Sequence, residues 1–163
     1  MPFTPFHIGP ALLIFGVLTV LDPIALVYGS ILVDLEPLLV YLFALNHPLH
    51  GPAHSIIGIM LLLPLFYVAT VVTRRVFPKA DHMFTSKSKK YSAWLSIASG
   101  AVGGYSHLLL DAFLYPELNL AWPLGRWNPL LNQLSALTVY ALCALTFVVG
   151  LPLVQLQRRW RLI

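Results

Sequence analysis

Chemistry in this chain has few places to reside. Asp34 and Glu36 lie in the run Tyr28-Gly29-Ser30-Ile31-Leu32-Val33-Asp34-Leu35-Glu36-Pro37, two carboxylates inside an apolar stretch. Two other stretches can answer them: His50-Gly51-Pro52-Ala53-His54-Ser55 and Ser106-His107-Leu108-Leu109-Leu110-Asp111. An acid at membrane depth is costly and is generally kept for function. Imidazole nitrogen and carboxylate oxygen together form a ligand set for zinc or a similar ion. His107 and Asp111 are four apart, so a helix places them on one face, a turn from each other. Alone, that pair fits an interhelical hydrogen bond as well as it fits two ligands. His50 and His54 share the spacing, but Gly51-Pro52 interrupts any helix between them. The expected ligands are His7, Asp34, His54, His107 and Asp111. Asp34 and Glu36 are the candidate proton acceptors. They lie about 200° apart on an ideal helix, so both face one site only if the helix is kinked between them.

The elements that must position these residues are apolar. The chain has 163 residues, 58% hydrophobic and 10% charged, with a mean hydropathy of +0.80. A soluble domain carries roughly 25% charged residues. The chain is therefore expected to be an all-α integral membrane bundle of about five helices, a single transmembrane helical domain over residues 1–163. The apolar runs cover residues 8–21, 24–45, 53–73, 91–114 and 133–157. Pro37 cannot donate a backbone hydrogen bond, which predicts a kink at residues 33–37. The first run is short and Asp22-Pro23 reads as a cap and helix start, so the first two helices are expected to form a shallow hairpin. Small residues at Ser99-Gly100-Ala101 and Gly103-Gly104 allow close helix approach.

The net charge of +4 comes from two basic clusters, residues 74–90 and 158–161. They read as topology determinants on a solvated loop and tail, not as a nucleic-acid surface, and no nucleic-acid partner is expected. By the positive-inside rule the C-terminus is cytoplasmic, and the His/Asp site lies towards the outer side of a plasma (inner) membrane that the chain crosses several times. Trp122, Trp127 and Trp160 suit interface anchors. The single cysteine, Cys143, excludes a disulfide within the chain, and the N-terminus lacks the basic lead of a secretory signal. There is no H-E-x-x-H, no G-x-S-x-G and no Gly-rich phosphate loop.

At these residues the sequence resembles the YdjM-like inner-membrane metal-dependent hydrolases, most closely their archaeal-type members. The matching pieces are Pro5-Phe6-His7, Gly29-Ser30-Ile31-Leu32-Val33-Asp34 with its second acid, His50…His54-Ser55, Ser106-His107-Leu108-Leu109-Leu110-Asp111 and Trp122-Pro123-Leu124. The family is grouped with zinc-dependent phospholipase C and single-strand nucleases. The resemblance implies one metal held by Asp34, His54, His107 and Asp111, and a second using His7 with Asp111 as a bridge. The expected function is metal-dependent, zinc-type hydrolysis of a phosphoester in a phospholipid or another lipid-linked molecule. His50 and Arg126 are expected on the substrate side, although Arg126 beside Trp127 fits an interfacial arginine equally well. The rival readings are a metal or proton transporter using the same residues, which would need to oligomerise, and a membrane scaffold with a structural metal.

Overall fold

The computed structural model describes residues 5–86, 90–160 and 163. Among them there is no strand, and the helices are α1 (Pro5–Val17), α2 (Pro23–Leu32), α3 (Leu35–Leu42), α4 (Ile56–Val76), α5 (Ala93–Ala112) and α6 (Ala136–Arg159), with a 3-10 turn at Ala80–Met83. Helices α2 and α3 are two halves of one kinked helix, Pro23–Leu42, so the expectation of about five helices holds. Lys87, Lys89 and Arg161 of the basic clusters lie outside the described residues.

Local sequence explains where the helices start. Asp22 caps α2: its Oδ1 accepts from Ile24 N (3.1 Å) and Ala25 N (3.2 Å), with Pro23 in the first turn. Ser55, Ser92 and Ser135 cap α4, α5 and α6 through their hydroxyls. The kink falls where Pro37 puts it. The Val33 carbonyl, which Pro37 cannot serve, accepts from Glu36 N instead (3.2 Å), and Asp34 N turns to Ile31 O (3.2 Å). These tight bonds break the helix at Val33 and Asp34.

Three helices are long and apolar enough to cross a membrane: Pro23–Leu42, Ile56–Val76 and Ala136–Arg159. The run at 91–114, expected as a further span, forms α5, which is not in that set. Its buried residues include Ser96, Ser99, His107 and Asp111. It packs against α2 and α4 as an inner helix, which is where a helix carrying those groups avoids lipid. Glycines set its distance from α2. A Cβ on Gly103 would lie 2.1 Å from the Leu26 carbonyl oxygen, and one on Gly29 would lie 2.0 Å from that of Gly100.

One expectation is corrected at the other end of the bundle. Arg74, read as part of a solvated basic loop, is the clasp of a buried network. It donates to both oxygens of Asp22 (2.8 Å each) and pairs with Asp81 at 2.9 Å. Ser96 Oγ donates to Asp22 Oδ2 (2.5 Å), and Asp22 N donates to Ser99 Oγ (2.8 Å). Side chains on a helix lean towards its N-terminus. An arginine in the last turn of α4 therefore reaches back into the bundle rather than out to water. The Asp22-Pro23 turn, 0% exposed at Asp22, thus sits inside the protein, beside the last turn of α4.

Candidate metal centre

Four side chains from three elements and one loop converge. Asp34 stands at the break between α2 and α3, His54 just before α4, and His107 and Asp111 one turn apart on α5. One ligand atom from each lies within 4.8 Å of all the others. His107 Nε2 is 3.1 Å from Asp111 Oδ2 and 3.4 Å from Asp34 Oδ1. His54 Nε2 is 3.8 Å from each of the same two oxygens. Bonds of about 2.0–2.1 Å to a tetrahedral zinc place ligand atoms about 3.3 Å apart. The observed spacings bracket that edge.

Hydrogen bonds behind the cluster fix which nitrogens face it. His54 Nδ1 is 2.9 Å from Glu36 Oε2, and His107 Nδ1 is 2.8 Å from the Ser30 carbonyl oxygen. Both partners are acceptors, so each Nδ1 carries a proton and each ring turns its Nε2 inward. The helix break supplies one of these partners. Asp34 N has left the usual i−4 pattern for Ile31 O, which frees the Ser30 carbonyl for His107.

The result is a contact between acceptors. His54 Nε2, His107 Nε2 and Asp111 Oδ1 are buried without a hydrogen-bond partner among the described residues. Lone pairs and carboxylate oxygens at these distances repel one another unless a proton or a metal ion lies between them. Burial disfavours the His54 imidazolium, yet the carboxylate of Asp34 beside it, the hydrogen bond to Glu36 and the charge of Asp111 outweigh it and raise its pKa to about 9. The cluster without metal therefore attracts a proton, and a metal has to displace it.

The remaining expected residues fall into distinct places. His7 stacks on His107 with ring centroids 3.9 Å apart and points Nε2 at Asp111 Oδ1, 3.4 Å away. Both His7 nitrogens are buried and lack a hydrogen-bond partner. Glu36 does not face the cluster: its oxygens accept from Gly51 N (3.0 Å), Ala53 N (3.2 Å) and His54 Nδ1. A carboxylate engaged by three donors is placed to orient His54 rather than to take a proton from water. His50 borders the cluster, with Nε2 3.9 Å from Asp111 Oδ2. Arg126 is exposed between α5 and α6, and no hydrogen bond or ion pair joins it to the cluster among the described residues.

Sequence reasoning missed the partners of His50. Glu117 Oε1 accepts from His50 Nδ1 at 2.8 Å, and Tyr115 stacks on the ring at 3.6 Å between centroids. Burial lowers the pKa of His50 despite that hydrogen bond, which keeps the ring neutral. Burial and the charge of Asp111 push the Tyr115 phenol up, so it stays protonated. One signal was available: Glu117 is the sole acid between Asp111 and the last residue, in a loop expected on the same side as His50. Compared with known proteins, no family model, curated protein or solved structure matches this chain.

Proposed function

We propose that this chain is a membrane-embedded, metal-dependent hydrolase that cleaves a phosphoester in a phospholipid or another lipid-linked molecule, with its site towards the outer side of the plasma membrane. The observation that carries the metal is the pair of inward Nε2 atoms on His54 and His107, set against the carboxylates of Asp34 and Asp111 at 3.1–3.8 Å. The hydrolytic reading adds the resemblance to the YdjM-like hydrolases. Asp34, His54, His107 and Asp111 would hold a first zinc ion, and His7 with the outer oxygen of Asp111 a second. Such an ion polarises a phosphoryl oxygen and acidifies bound water.

The protein's own groups have separate tasks in this reading. Glu36 and the Ser30 carbonyl keep His54 and His107 in the ligand tautomer. Asp34, whose side chain is 15% exposed against 0–1% for its neighbours, lies nearest to incoming water and accepts its proton. The His50–Glu117 pair flanks the site on the substrate side, and Arg126 meets the head group.

Metal analysis and a hydrolysis assay on purified protein test the reading. Wild type should carry stoichiometric zinc and hydrolyse a phosphodiester, and Asp34→Ala should lose both. Metal-free wild type, prepared without chelators and supplied with zinc, would overturn the metal site. Zinc uptake into vesicles without any hydrolysis would replace the enzyme with a transporter.

A further inference from the structure

An apolar groove opens between α1 and α6. Phe6, Cys143, Ala144, Phe147 and Val148 line it, and its volume is about 290 Å3. Phe6 directly precedes His7 in α1. His7 is buried against Asp111, whereas Phe6 is 40% exposed. Consecutive residues of one helix thus serve the His/Asp cluster and the groove. Elsewhere the same two helices are tightly packed. A Cβ on Gly9 would lie 2.5 Å from the Cys143 carbonyl oxygen, and one on Gly150 would lie 2.5 Å from Leu13 N. The groove is therefore a local gap beside Phe6, not looseness of the whole pair. Tyr140 packs on Phe6 with ring centroids 5.8 Å apart.

The surroundings specify the occupant. Helix α6 is long and apolar enough to cross a membrane, and Leu142, Leu145, Val148 and Val149 are exposed along it. A groove beside them opens onto hydrocarbon. Its lining carries no charge, and its polar side-chain group is a lone buried thiol, so it cannot recognise a head group. Pockets for entire small molecules run from about 300 to 1,000 Å3. This groove has the size and chemistry for one part of a ligand, an alkyl or acyl chain.

We infer that the groove binds a hydrocarbon chain of the substrate, which enters sideways from the membrane between α1 and α6 while its phosphoester lies at the His/Asp cluster. That the chain belongs to a substrate, and the place of its phosphoester, rest on the hydrolase reading; the binding of a hydrocarbon chain in the groove does not. Ala144 is exposed on α6, so Ala144→Phe fills the groove without entering the packed interior. The zinc-loaded protein in dodecyl maltoside micelles is assayed on long-chain phosphatidylglycerol and on water-soluble bis(p-nitrophenyl) phosphate. The ratio of the two kcat/KM values should fall about fivefold or more in the variant, the effect of losing one or two buried methylenes. An unchanged ratio overturns the inference. If wild type hydrolyses neither substrate, the hydrolase reading fails, and native mass spectrometry then decides the groove. Wild type retaining a phosphatidylglycerol that Ala144→Phe loses supports the chain site; equal retention by both overturns it.

Discussion

Glu36 governs the candidate centre without facing it. Its carboxylate collects Gly51 N, Ala53 N and His54 Nδ1 from the connection before α4. In doing so it ties the start of α3 to the residue that supplies a ligand. The wide angle between Asp34 and Glu36 on a helix is therefore used rather than overcome: one acid looks at the cluster and the other looks behind it. Glutamine at this position replaces one acceptor oxygen with an NH2 group, and that group then faces a backbone or imidazole donor. Loss of a hydrogen bond behind a metal-binding histidine typically lowers affinity about 10–100-fold. Glu36→Gln should show a loss of that size in a chelator-competition titration with zinc, while still reaching full occupancy at high zinc. Wild-type affinity in this variant would show that Glu36 does not hold the ring of His54.

Helix α5 can serve the cluster only if α2 comes close to it, and glycine makes that possible. At Gly103 the nearest neighbour of a new Cβ is the Leu26 carbonyl oxygen, at 2.1 Å. That atom belongs to a helix backbone, so no side-chain rotation relieves the clash. Gly103→Ala should force α2 and α5 apart, at a cost of about 1–3 kcal/mol typical of overpacking. It should also lower zinc occupancy, because Asp34 leaves His107 and Asp111. Gly125 has nothing within 4 Å of its would-be Cβ and serves as the control. Thermal unfolding and zinc content, measured side by side, check this; a Gly103→Ala protein that matches Gly125→Ala refutes the packing argument. The run of small residues at 99–104 and the proline at 37 were legible in the sequence because each acts on its own backbone. The partner of the glycines, the release of the Ser30 carbonyl and the Glu117–His50 pair were not, since each depends on the register between segments far apart in the chain. The enclosure of α5 by its neighbours was not legible for a related reason. Its apolar residues resemble a lipid-facing span until α2 and α4 are known to enclose its polar ones.

At the scale of the whole molecule, two polar centres occupy different levels of one apolar bundle. Ser96 and His107, on the same helix, mark the levels, and eleven residues separate them by about 17 Å. The lower centre has the opposite logic from the upper. Asp22 and Asp81 share one guanidinium, Ser96 and two backbone N–H groups donate to the Asp22 carboxylate, and Ser99 accepts from the Asp22 backbone N–H. Both carboxylates already contact a cation of the protein, and O–H and N–H donors spread the remaining negative charge. Removing Arg74 leaves Asp22, which is 0% exposed, and Asp81 with no positive partner among the described residues. Breaking a buried pair from one side costs about 3–5 kcal/mol, so Arg74→Met should unfold at a markedly lower temperature. Arg74→Lys should recover part of the loss at most, because one ammonium cannot reproduce the two-pronged contact with Asp22 while reaching Asp81. Zinc content per folded Arg74→Lys molecule should equal that of wild type, since no cluster residue bonds to Arg74. Loss of zinc in step with stability would mean that the two levels are mechanically coupled through α2 and α5. A Met variant as stable as wild type would mean that water, not Arg74, satisfies Asp22.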